Sequence, residues 1–274
     1  MRISLLGDAP VRLESTPGNP AVGVVRFVSR TGSPRIFALT VVARTRGTPS
    51  LAITRTVVVI LRTPVVSLVG PGALSRWAYV LEGSTARAAP NPSAAAVARV
   101  PVATSDGQPN VVRLLAQERD AAGRTWVRVA LTVLPNGRAG WVRRSDLSSY
   151  RRVATRLVID TRRFTVTLYR NGRRVFRAPA GVGLPASPTP RGNFYIREKL
   201  TDFQDAAYGP VAFGTNARSP VLTDWPGGGV VGIHGTNEPS RLPGRVSHGC
   251  VRLRNADVLR LERLLPLGTP VTIR

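Results

Sequence analysis

The chain has 274 residues but one cysteine, two histidines and one lysine. A single thiol excludes an intrachain disulfide, so every core must hold without a covalent staple. The length suffices for one large domain or for two to three small ones. The strongest apolar stretch, Val57 to Leu61, is broken by Arg62 and Pro64 and falls far below the roughly 18 residues of a membrane-crossing helix. The amino-terminal run Met1 to Leu6 meets Asp8 too soon for a secretory signal. The expectation from that end is a mature or truncated form, or a chain that stays inside the cell.

Acidic residues are also scarce, 15 against 39 basic ones, for a net charge of +24. Only Lys199 is a lysine, so nearly all of the positive charge is guanidinium. Residues 1–150 hold 19 basic and 7 acidic residues and residues 151–274 hold 20 and 8, so each half carries +12. An even spread argues against one nucleic-acid-binding tail and suits a surface that meets anionic polymers or lipid headgroups. Arginine used simply on solvated faces is the plainer reading, and no common nucleic-acid motif is present.

What is abundant is turn material, 26 glycines and 23 prolines in a chain that is 43% hydrophobic. Short β-branched runs between such turns imply a mainly β protein. Residues 1–68 read as a small β-sandwich through Arg35 to Val42 and Leu51 to Ile60, with a likeness to immunoglobulin-like modules in pattern only. Gly70-Pro71-Gly72 breaks the chain. Residues 75–148 then carry short strands with a tryptophan each, around Trp126 and in Gly140-Trp141-Val142, and resemble a bacterial SH3-like barrel. These tryptophans read as packing rather than as a ligand platform. From residue 153 the pattern sharpens. Arg156 to Asp160 reads as a strand, Phe164, Val166 and Leu168 share one face of the next, and Asn171-Gly172 supplies a type I′ hairpin turn. A helix follows Asn255 as N-cap, with Val258, Leu261 and Leu265 on one side and Pro266 and Gly268 as the stop. Pro270 to Ile273 closes the chain as a strand.

The rare residues are concentrated. His234, His248 and Cys250 fall within seventeen positions. A free thiol is mostly protonated at neutral pH, and an imidazole beside it makes it a useful nucleophile. Spacing leaves the base open: His248 and Cys250 share a face if the segment is extended, and His234 lies sixteen positions away. A buried, inert cysteine is the plainer reading of a lone thiol. Zinc on His234, His248 and Cys250 is the sharper rival. Gly249 gives a substrate carbonyl room to approach, and backbone N–H groups beside Cys250 suit an oxyanion. Arg241 and Arg245 stand between the histidines as candidate carboxylate contacts, with a solvated loop as the alternative. Trp225 with Gly227 to Gly229 reads as a flap or a surface turn.

Ile233-His234-Gly235-Thr236, followed by Val246-Ser247-His248-Gly249-Cys250-Val251-Arg252-Leu253, resembles the catalytic signature of the L,D-transpeptidases, which cross-link bacterial peptidoglycan. Thr189-Pro190-Arg191-Gly192-Asn193-Phe194 and Gly209 to Gly214 stand in the family's order upstream. The resemblance covers residues 153–274 and implies a β-rich catalytic domain, a β-sandwich with a few short helices. It implies Cys250 as nucleophile, His234 as base with the Gly235 carbonyl orienting its ring, and His248 as a supporting histidine. It places Ser247, Gly249 and Arg252 at the substrate or oxyanion side. It implies no cofactor, no metal, peptidoglycan stem peptides as partners, trapping by carbapenems and an extracytoplasmic location. Anionic cell-wall polymers are a further partner expectation, and no specific nucleic acid is expected. Rival readings are an L,D-carboxypeptidase, a non-catalytic cell-wall-binding protein, and a basic nucleic-acid binder with steeply salt-dependent affinity.

Overall fold

The computed structural model describes residues 65–69, 74–201, 205–222 and 229–274 in full, and within 1–64 the backbone of five strands. The chain divides into two compact units, residues 1–64 with 118–124, and residues 65–117 with 125–274. In the first, Arg35–Arg44 and Ala52–Leu61 pair antiparallel along their whole length and Arg2–Ser4 adds to the former. Val11–Ser15 and Gly23–Phe27 form a separate hairpin. Both β-branched runs of the sequence are thus strands. The side-chain packing that a sandwich would need lies outside the described residues.

The second unit holds two sheets. The eight-stranded sheet runs Arg151–Val153, Ser75–Tyr79, Val111–Arg119, Thr125–Ala130, Ala139–Arg143, Ser84–Arg87, Ala96–Val100, with Val66–Ser67 also on Val111–Arg119. Its core is aliphatic, with Val112, Leu114, Val127 and Val129 among its buried members. Trp77, Trp126 and Trp141 are all buried. The tryptophans therefore spend their area on packing.

The ten-stranded sheet is built from β1 (Thr155–Asp160), β2 (Thr165–Arg170), β3 (Arg173–Pro179), β4 (Gly181–Gly183), β5 (Gly192–Leu200), β6 (Ala212–Arg218), β7 (Val230–His234), β8 (Gly244–Ser247), β9 (Val251–Arg252) and β10 (Pro270–Ile273). Their order is β3-β2-β1-β10-β5-β6-β7-β9-β4-β8. Asn171 and Gly172 both have positive φ, at 50° and 79°, as the hairpin between β2 and β3 requires. Phe164 is not part of β2. Its φ of 52° puts it in the preceding turn, so the shared face begins at Val166.

The helix α1 spans Asn255–Glu262 and buries Val258 and Leu261 in the core that also holds Ile233, Val251 and Leu253. Arg254, not Asn255, occupies the cap position, and it makes no side-chain cap bond. The Asn255 amide instead accepts from Thr236 N–H at 2.8 Å, so a residue that local pattern assigns to helix capping holds the functional loop. Leu265 lies past the helix yet remains in the core.

The two sheets meet within this unit. Asn216 Nδ2 donates to the Leu131 carbonyl at 3.1 Å, and Tyr195 Oη donates to the Val111 carbonyl at 3.1 Å. Gly268, at φ +77°, faces Trp77 so closely that a β-carbon there would sit 2.1 Å from Trp77 Cδ1. Gly268→Ala should lower stability by about 2–3 kcal/mol through overpacking and backbone strain. Urea unfolding measures it, and a change within about 0.5 kcal/mol would contradict the packing.

Candidate active site

Strands β7 and β9 are parallel neighbours, with Ile233 opposite Val251 and His234 opposite Arg252. Cys250, one residue before β9, therefore stands level with Gly232, whose N–H donates to Cys250 Sγ at 3.3 Å. Alternation along a strand puts Gly232 and His234 on one face, and Cys250 and Arg252 on that of the neighbour. Cys250 and His234 share a cavity of about 250 Å3 with Tyr208, Ser247, His248 and Arg252. Cys250 as a residue is half-buried and lines this cavity.

The two histidines differ in setting. His234 is 4% exposed and His248 is exposed. His234 Nδ1 lies 2.7 Å from the Gly235 carbonyl oxygen. A carbonyl only accepts, so Nδ1 carries the proton and Nε2 of the neutral ring keeps its lone pair. Tyr208 packs on the ring with centroids 4.8 Å apart. Residue 235 must be glycine, because a β-carbon there would lie 2.3 Å from Asn255 Oδ1 and 3.0 Å from Gly209 Cα. The carbonyl that orients the imidazole is thus clamped by the start of α1.

Burial holds His234 down to about 4, against weaker upward pulls from the Gly235 backbone, the Asp205 charge and the Tyr208 backbone, with a further downward push from Arg252. Burial pushes the Cys250 thiol up, only partly offset by the Gly232 N–H and by Arg252. The pair is therefore a neutral thiol and a neutral imidazole. Desolvation disfavours both charges more than either partner restores them.

The turn that presents Cys250 is closed on itself. Ser247 Oγ donates to the Cys250 carbonyl at 2.5 Å and accepts from Gly249 N–H at 3.2 Å. Gly249 adopts φ 123°, which a side chain would strain. Its carbonyl accepts from Thr189 Oγ1 at 2.8 Å, and Thr189 Oγ1 in turn accepts from Gly183 N–H at 2.9 Å. The Ser247 hydroxyl and the Gly249 N–H are thereby engaged inside the turn.

Arg252 lines the cavity and its Nη1 donates to Glu238 Oε2 at 3.2 Å. Arg241 bonds the same carboxylate at 2.8 Å, while Arg245 reaches the Gly183 carbonyl at 3.3 Å. Neither Arg241 nor Arg245 lines the cavity. Trp225, Gly227 and Gly228 lie outside the described residues. Gly232, Tyr208 and Asn255 belong to the site although local pattern does not mark them as such. Among the described residues no three His, Cys, Asp or Glu side chains are grouped to hold a metal ion.

Residues 154–273 match the model of the YkuD family, described as the L,D-transpeptidase catalytic domain. This segment is similar to the L,D-transpeptidase catalytic domain. A relative from Bacillus licheniformis named as an L,D-transpeptidase, YkuD, is 37% identical over 118 residues, 43% of this chain and 64% of the relative. One of the same name from Bacillus subtilis is 38% identical over 109 residues, 40% of this chain and 59% of the relative. The chain thus spans less than two thirds of either. The NMR structure of the catalytic domain of an E. faecium L,D-transpeptidase aligns with a TM-score of 0.35 at 26% identity, covering 44% of this chain and 96% of that one.

The His234 shift has a signed consequence for stability. Between pH 6.5 and about 4 the unfolded chain binds a proton there that the folded chain refuses. Stability from this group is complete above that window and is lost as pH falls through it, by on the order of 3 kcal/mol. Unfolding free energies of wild type and His234→Gln, compared across the window, should diverge by about that amount. Parallel curves would contradict a buried neutral imidazole.

Proposed function

We propose that the chain is an L,D-transpeptidase forming 3→3 peptidoglycan cross-links, with Cys250 as nucleophile and His234 as base. The observation that carries this reading is the Nδ1 contact of His234 with Gly235, which leaves Nε2 as the ring's acceptor in the cavity that also holds Cys250. As the sulfur attacks the carbonyl at the L-centre of the diamino acid in a tetrapeptide stem, its proton passes to Nε2. The carbon–sulfur bond forms, the bond to terminal D-alanine breaks, and the same proton leaves on the departing amine. A thioester remains. The amine of a second stem then attacks, gives its proton to His234, and expels the sulfur, which takes that proton back. Water in place of the amine gives a carboxypeptidase.

Arg252 favours negative charge on sulfur and disfavours a second positive charge on the imidazole, and both effects appear in the shifts of those groups. Ser247 and Gly249 hold the nucleophile's turn, and His248 stands at the exposed side of the cavity. No cofactor takes part in this scheme. L,D-transpeptidases act on peptidoglycan, which is extracytoplasmic, and we assign the chain to that side of the membrane. Among the described residues no helix is long and apolar enough to cross a membrane. In this reading residues 75–148 are an SH3-like module and residues 1–68 an immunoglobulin-like one, and they place the enzyme on the wall.

Intact-mass spectrometry after incubation with a tetrapeptide stem or a carbapenem tests the proposal. Wild type should gain one adduct, Cys250→Ala none, and His234→Ala should acylate roughly 100- to 10,000-fold more slowly. A folded wild-type sample that gains no adduct would overturn it. Adding a second stem separates cross-linking from hydrolysis by the mass of the product.

A further inference from the structure

The connection from β4 to β5 packs against the turn that carries Cys250 and is stitched to it. Leu184 N–H donates to the Ser247 carbonyl at 2.9 Å, and Ser187 N–H closes back on the Leu184 carbonyl at 3.1 Å. The carbonyl oxygens of Pro188 and Ser187 face Gly249, 3.7 and 3.8 Å from where a β-carbon on it would stand. Thr189 follows them and is buried.

A threonine hydroxyl has one proton to give and lone pairs to receive. Both capacities are spent here. Oγ1 accepts from Gly183 N–H at 2.9 Å and gives its single proton to the Gly249 carbonyl at 2.8 Å. Gly183 comes this close because it has no side chain: a β-carbon there would lie 2.5 Å from Thr189 N. The Gly249 carbonyl belongs to the same peptide unit as the Cys250 N–H, and that unit is trans. In a trans peptide the two groups point in opposite directions. A carbonyl tied back to Thr189 therefore turns the Cys250 N–H away from Thr189. That N–H has no acceptor among the described residues. Cys250 lines the cavity, whereas Thr189 does not.

We propose that Thr189 is a positioning residue for acyl transfer: its hydroxyl fixes the peptide between Gly249 and Cys250 so that the Cys250 N–H meets the substrate oxyanion. This role rests on the reading of Cys250 as the nucleophile. As the sulfur adds to the substrate carbonyl, the π pair moves onto oxygen, and a donor already aimed there stabilises the charge. The pair returns and restores the carbonyl as the amine of D-alanine departs. Thr189 touches none of the reacting atoms. The sulfur has its own hold in the Gly232 N–H, so the peptide can turn without displacing Sγ.

Two reactions of one sulfur separate this role from general support of the fold. Acylation by a tetrapeptide stem or a carbapenem builds an oxyanion, whereas alkylation by iodoacetamide displaces iodide and builds none. Both are followed by intact-mass spectrometry of the full chain. Thr189→Val keeps the shape and removes the hydroxyl; its acylation should slow by roughly 100- to 1,000-fold while alkylation keeps the wild-type rate. Thr189→Ser retains the hydroxyl and should acylate near the wild-type rate. Thr189→Ala leaves room for a water on Gly183 N–H and serves where the valine variant does not fold, with the same expected split. Three results would overturn the role: undiminished acylation without the hydroxyl, acylation and alkylation falling together, or serine no faster than valine. A folded wild type that takes no acyl group would overturn the reading of Cys250 instead, and this role with it.

Discussion

The hydrogen bond from His234 Nδ1 to the carbonyl of its own neighbour, Gly235, is the contact on which the site's chemistry depends. It selects one tautomer, and with it the nitrogen that can accept a proton. The bond exists only because the backbone at Gly235 is pressed between Gly209 and the Asn255 amide, where no side chain fits. Thr236 N–H completes the clamp by donating to Asn255. Fold and chemistry are therefore linked at a single peptide unit. The helix end that closes the core also aims the imidazole.

A second constraint is dielectric. In a chain of charge +24, Cys250 and His234 would be expected to sit in a field that favours anions. The field does act, through Arg252, in the direction that helps sulfur become negative. Desolvation nevertheless outweighs it for both groups, so the ground state holds no separated charges. A neutral thiol in a half-open cavity is also less exposed to oxidation and to metal capture than a standing thiolate.

Much of this was legible in the residues alone. The hairpin at Asn171-Gly172 and the closing strand Pro270–Ile273 were readable because period and turn chemistry are local signals. The clustering of His234, His248 and Cys250 was readable because those residues occur nowhere else in the chain. What stayed hidden depends on partners distant in sequence. Parallel pairing of β7 with β9 brings Gly232 to the sulfur, and nothing local to Gly232 announces that. Asn255 carries a strong local preference for capping, which a tertiary contact overrides. Spacing could not choose between the histidines, and their burial, His234 enclosed and His248 exposed, depends on contacts distant in sequence. The bulge in β5 between Ile196 and Glu198 breaks the alternation of the strand, which local pattern cannot foresee.

The central claim is that His234 is a neutral ring protonated on Nδ1 beside a neutral thiol. Long-range proton–nitrogen NMR of the ring nitrogens, followed through a pH titration of the wild-type chain, tests it most directly. The account predicts an Nδ1–H tautomer for His234 at neutral pH, with the ring gaining its second proton only near pH 4. An imidazolium at neutral pH, with both ring nitrogens protonated and the sulfur ionised, would contradict it.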